Sequence, residues 1–157
     1  MSLMEATPSH LNVRTTLASL PPEWGACDAP RNLTNEISTQ INETRPEETV
    51  VILDDDPTGT QTVYDLPVLT DWAQSSLDAE FERGAGAFYV LTNSRSDSPE
   101  EAEFVNRIVA KRVAKAAKRC GRDLCVISRS DSTLRGHYPL EVDALAETLG
   151  GGGWKRF

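Results

Sequence analysis

The chain has 157 residues, enough for one α/β domain with a real core. It is 39% hydrophobic and 25% charged, as a globular protein usually is, and a formal net charge of −8 argues against a general nucleic-acid binder, which would need a basic face. No apolar run approaches the ~20 residues that span a bilayer, and no secretory signal opens the chain, so no membrane partner is expected and the cytoplasm is the default location.

Pro8, Pro21, Pro22, Gly25 and Pro30 fall in a stretch with little periodicity. Residues 1–46 therefore read as a loosely packed leader carrying one short helix. Leu33, Ile37 and Ile41 recur at helical spacing, and Arg45-Pro46 ends the pattern. Residues 47–157 form the expected main domain. Its first strand covers about 49–53. Val63–Thr70 holds a weaker strand that Pro67 pushes toward a sheet edge. Asp71 caps a helix that runs to about Phe81 and is ended by Gly84 and Gly86. Ala87–Leu91 is the next strand.

Ser98-Pro99-Glu100-Glu101 opens the longest helix with the residues of a capping box and a first-turn proline. Val105, Ile108, Val109, Val113 and Ala116 form its apolar stripe, and Gly121 stops it. Leu124–Ile127 is the last clear strand. Pro139 starts a helix with Val142, Leu145 and Leu149 facing inward, and Gly150 onward ends it. The alternation predicts an α/β fold: a doubly wound, Rossmann-like, mostly parallel sheet with helices on both faces. Parallel strands would bring the loops 54–60, 92–98 and 128–136 to one edge, where ligands of such sheets bind.

Those loops carry the chemistry. The first holds Asp54, Asp55, Asp56, Thr58 and Gly59. A carboxylate can orient a sugar hydroxyl, take its proton or hold Mg²⁺, and a glycine lets backbone approach a ligand. A solvated Asx-rich turn is the plainer reading. The second holds Arg95, which can grip a ligand carboxylate or pair with the aspartates; both stay open. The third packs Arg129, Ser130, Asp131, Ser132, Thr133 and Arg135 together. Arg129 or Arg135 would neutralise an acid group, and Asp131, Ser132 and Thr133 would read hydroxyls. An internally bonded loop with an Asp–Arg pair is the plainer alternative. His137 reads as solvated, near a helix start. Cys27, Cys120 and Cys125 lack the spacing of a disulfide framework or a zinc site. Neither a G-x-x-x-x-G-K-[ST] loop nor a G-x-G-x-x-G fingerprint is present.

Asp55-Asp56-Pro57-Thr58-Gly59 resembles the D-D-x-T-G motif of the four-carbon acid sugar kinases, and Asp131–Gly136 is similar to their D-S-T-L-R-G motif. The resemblance covers roughly residues 49–149. It implies the N-terminal sugar-binding domain of an enzyme that phosphorylates the terminal hydroxyl of a four-carbon sugar acid, such as threonate or erythronate, with ATP. It further implies that ATP and Mg²⁺ are held mainly by a C-terminal domain, so that this chain, ending at Phe157, is a truncated and by itself inactive piece. It carries the catalytic acid to Asp55 or Asp56. It carries substrate binding to Asp55, Thr58, Gly59, Arg95, Arg129, Ser130, Asp131, Ser132, Thr133 and Arg135. No residue is assigned to a metal. The chain departs from the family in having Arg129 where lysine is common, Asp54 where a small residue is, and Pro57 where an apolar one is.

Two further readings stand beside it. Asp54–Thr58 also fits D-x-D-x-T, the first motif of haloacid-dehalogenase-like phosphatases, with Asp54 as nucleophile, Asp56 as general acid and Mg²⁺ between them. That reading leaves Asp131–Gly136 unexplained. The third is a non-catalytic sugar-acid binding module. Whether the chain forms a homo-oligomer is left open by the sequence.

Overall fold

The computed structural model describes residues 33–131 and 135–150, apart from the side chains of Leu33, Thr34 and Thr62. The chain divides into two compact units, Met1–Pro46 and Glu47–Phe157. In the first, α1 (Leu33–Thr44) forms over the predicted i, i+4 pattern. The Arg45 amide donates to the Ile41 carbonyl just before Pro46, which cannot extend the helix.

The second unit contains β1 (Glu48–Asp54), β2 (Val68–Leu69), α2 (Gln74–Glu82), β3 (Ala87–Leu91), α3 (Pro99–Cys120), β4 (Asp123–Arg129) and α4 (Leu140–Leu149). Single 3-10 turns lie at Gly59–Thr62 and Ser94–Ser96. The four strands run parallel in the order β2-β3-β1-β4. The fold is thus α/β and Rossmann-like. The chain steps out from β1 to the edge strand β2, returns to β3, and crosses over β1 through α3 to reach β4. β1 is flanked on both sides, so its C-terminal end lies between those of β3 and β4.

Alternation along each strand sends Val51, Leu53, Phe88, Val90 and Leu124 into one core with Leu77 and Phe81 of α2, Val105, Val109, Val113 and Ala116 of α3, and Leu145 and Leu149 of α4, while Ile108 of the expected α3 stripe is only partly buried. Phe81 and Phe88 meet edge to face with ring centroids 5.5 Å apart. α3 starts as its sequence demands. The Ser98 hydroxyl accepts from the Glu101 amide, and the Glu101 carboxylate accepts from the Ser98 amide. Gly121 ends it in the left-handed region, at φ 65°.

Three boundaries differ from the sequence reading. α2 begins at Gln74 because the Asp71 carboxylate accepts from the Ala73 amide and the Ser76 hydroxyl, a turn ahead of the helix rather than a cap on it. β2 shrinks to two residues at the sheet edge. β4 runs two residues past Ile127, since the β1–β4 ladder continues to the pair Asp54↔Arg129. Of the α4 residues expected inside, Leu145 and Leu149 are buried and Val142 only partly so, while Glu141, not expected inside, is buried.

Among the described residues no helix is long and apolar enough to cross a membrane.

Candidate functional site

The C-terminal ends of β1, β3 and β4 share one edge, and their loops are bonded to one another. Asp55 is the hub. Its carboxylate accepts from Arg95 Nη2 at 3.1 Å, from Arg95 Nε at 3.3 Å and from the Asp131 amide at 2.9 Å. Its own amide donates to the Arg129 carbonyl, and its carbonyl accepts from the Arg95 amide. A single residue after β1 therefore touches the loops after β3 and β4.

Asp54 is fully buried. Its Oδ1 accepts from Arg129 Nη1 at 3.0 Å and from the Asp56 amide at 3.3 Å. Its Oδ2 is buried with no hydrogen-bond partner among the described residues. Burial pushes the Asp54 carboxyl above the ordinary aspartate value, against the opposing pull of the Asp56 amide and the Arg129 guanidinium. Gly59 explains the tight enclosure. A Cβ there would overlap Asp54 Oδ2 and the guanidinium of Arg129, so a side chain enters only if Arg129 moves away.

Asp56 behaves in the opposite way. Thr58, through its hydroxyl and through its amide at 2.7 Å, holds the Asp56 carboxyl below the usual aspartate value, and Arg95 helps. Arg95 Nη1 lies 2.5 Å from Asp56 Oδ2. Arg95 is thus enclosed by two aspartates, with its side chain 16% exposed. Arg129 differs: its side chain is 45% exposed, and among the described residues only Nη1 is engaged. Arg135 is exposed and sits 3.9 Å from Asp131.

Of the sequence-derived candidates, Asp55, Asp56, Gly59, Arg95, Arg129, Asp131 and Arg135 come together in this way. Thr58 is exposed and serves Asp56. Ser130 turns its hydroxyl to Glu141. Ser132 and Thr133 lie outside the described residues. Gly136 passes so close to the Asp131 carbonyl that a side chain there would overlap it. His137 is partly buried rather than solvated: its Nε2 is enclosed, and its carbonyl accepts from the Glu141 amide.

Sequence reasoning missed Glu141, Asn106, Thr92 and Ser94, all buried behind these loops. Glu141 accepts from the hydroxyls of Ser94 and Ser130 and from Asn106 Nδ2 at 3.0 Å. The Thr92 hydroxyl contacts Ser94 at 3.0 Å and donates to the Asp54 carbonyl at 2.9 Å. Asn106, polar within the apolar stripe of α3, was the one available signal.

A family model for the sugar-binding N-terminal domain matches residues 50–154. The chain belongs to this family, the N-terminal domain of the four-carbon acid sugar kinases. Neither a curated protein nor a solved structure matches it. The matched span of this sugar-binding domain includes all three loops. Its Asp54 is ill placed for the nucleophile of a dehalogenase-like phosphatase, because Oδ2 is walled in by Gly59 and Oδ1 is held by Arg129. Among the described residues no group of three His, Cys, Asp or Glu side chains is disposed to hold a metal ion.

Proposed function

We propose that this domain binds a four-carbon sugar acid and presents its terminal hydroxyl for phosphorylation by ATP, as the acceptor half of a cytoplasmic kinase. The supporting observation is the convergence of Asp54, Asp55, Asp56 and Asp131 with Arg95, Arg129 and Arg135 at one sheet edge. A ligand with one carboxylate and several hydroxyls matches that mixture.

Arg129 is the carboxylate grip. It is the half-exposed guanidinium with only Nη1 engaged among the described residues, whereas Arg95 is spent on Asp55 and Asp56. Asp131, steadied by the hydrogen bond its backbone N–H donates to the Asp55 carboxylate, reads hydroxyls. Asp55 is a positioning group. Asp56, partly open, orients the accepting hydroxyl. Its lowered pKa makes it a weak base, which suits a loose phosphoryl-transfer transition state in which positioning outweighs early proton removal.

The described residues do not fit a resident Mg·ATP site. Each aspartate of the first loop is committed to an arginine, and no carboxylate trio faces a common point. No step through the nucleotide is therefore assigned to this chain.

Calorimetry of the full chain with threonate and erythronate tests the reading. Binding by the wild type, weakened about tenfold or more in Arg129→Ala, is expected for loss of a charge-assisted carboxylate contact. A folded wild type that binds neither acid would overturn it.

A further inference from the structure

Glu141 lies in the first turn of α4, where an acid ordinarily faces water and complements the helix dipole. Here it is 2% exposed and receives three hydrogen bonds. Asn106 supplies one from α3. The other two come from Ser94 and Ser130, and these serines occupy matching places. Ser94 immediately precedes Arg95, and Ser130 immediately follows Arg129. One carboxylate, with an oxygen for each serine, thus ties together the backbone beside Arg95, which holds Asp55 and Asp56, and the backbone beside Arg129, the proposed carboxylate grip.

The tie also fixes both loops. Ser130 follows the last residue of β4, so the bond from its hydroxyl to Glu141 fixes the backbone between Arg129, which meets Asp54, and Asp131, which faces Arg135. Ser94 is fully buried, so its bond to Glu141 fixes the single 3-10 turn from which Arg95 reaches Asp55 and Asp56. Thr92 extends the network to the Asp54 carbonyl, so the end of β1 is included. A buried carboxylate is costly unless its oxygens are satisfied, and a hydrophobic residue would fill this space more simply. What Glu141 provides and an apolar side chain could not is a fixed distance between two loops.

We propose that Glu141 is a positioning residue that sets the span between Asp56, which Arg95 holds, and Arg129, and hence the length of sugar acid the site accepts. The effect on ligand length rests on the sugar-acid reading above; the effect on the loops does not.

The test compares Glu141→Gln and Glu141→Met in the full chain by amide hydrogen exchange and by calorimetry with threonate, erythronate and the five-carbon acid ribonate. Gln keeps the bridges, because a serine hydroxyl can turn to accept from the amide. Met keeps the bulk and removes them. Exchange at residues 92–97 and 128–131 is expected to rise about tenfold or more in Met, with α3 protection retained and Gln close to wild type. Affinity for the four-carbon acids should follow the same order, and the preference for them over ribonate should shrink in Met and persist in Gln; an unchanged preference in Met would overturn the effect on length.

Wild-type exchange in both loops of the Met variant would overturn the proposal. So would equal loosening of α3, which marks a merely structural role. Should Met fail to fold, Ser94→Ala and Ser130→Ala replace it: each should loosen its own loop, and wild-type exchange in both variants would overturn the proposal. If wild type binds no acid, the functional reading fails while the exchange comparison still decides the role of Glu141 in the loops.

Discussion

Asp55 and Arg95 form a two-pronged ion pair, with Nη2 3.1 Å from Oδ1 and Nε 3.3 Å from Oδ2, across the ends of β1 and β3. The Asp55 side chain is almost wholly buried, and the Arg95 side chain nearly so. Removing one partner leaves the other's charge in a poorly hydrated site. Asp55→Ala should therefore lower stability by about 3 kcal/mol, read by denaturant unfolding. Arg95→Lys should also be costly, since an ammonium cannot reproduce the fork. A loss below about 1 kcal/mol in Asp55→Ala, the scale of an exposed pair, would show that the pair is only a surface contact.

Gly59→Ala tests the enclosure of Asp54. The new methyl would press on a buried carboxylate that cannot retreat and a guanidinium that can. Arg129 should swing away and its bond to Asp54 should break. The expected loss is about 1–3 kcal/mol of stability, as for overpacking, together with weaker sugar-acid binding by calorimetry. Stability equal to wild type would contradict this geometry.

Asp54 and Asp56 should titrate on opposite sides of the ordinary aspartate value of 3.8. Carboxyl carbon NMR shifts would read this directly, with Asp54 above and Asp56 below. The signs for stability differ. For Asp56, whose folded pKa is depressed, the contribution is present above the unfolded value and is lost as pH falls through the folded one. For Asp54, whose folded pKa is raised, the folded state binds the proton more tightly. Its contribution is present below the unfolded value and is lost as pH rises through the folded one. Asp54→Asn should therefore gain in Tm relative to wild type as pH rises across that window. A relative gain on going to lower pH would reverse the assignment.

Ser98→Ala removes the reciprocal cap of α3, three residues after Arg95 but with its side chain bonded to Glu101 alone among the described residues. A cost of about 1 kcal/mol is expected, with sugar-acid affinity unchanged. This variant separates loss of stability from loss of binding in the same assay.

Local signals carried much of the fold. The β-branched run of β1, the capping box of α3 and the glycine at 121 each specify structure within a few residues, and the elements form there. Parallel strands then put the three polar loops on one edge. Whether Arg95 faces a ligand or the aspartates was not legible, because each choice satisfies the same charge; the structure pairs it with Asp55 and Asp56. Glu141 was invisible for a different reason. An acid in a first helical turn has a sufficient local explanation, and its partners lie 11 to 47 residues away. The start of α2 was misplaced because Asp71 can make a turn as readily as a cap, and only the packing of Leu77 and Phe81 decides which.

Asp54 and Arg129 are also the last rung of the β1–β4 ladder. A slip of one residue would set Arg129 against Leu53 and turn the alternation of β4 inside out. On the proposed reading, the residue that grips the ligand is also the alignment mark of two strands, and exchanging it to suit a different acid would break its pair with Asp54 at the end of the ladder. On the same reading, ligand preference can change at Arg135, which is exposed and lies in no strand, at less cost to the sheet than at position 129.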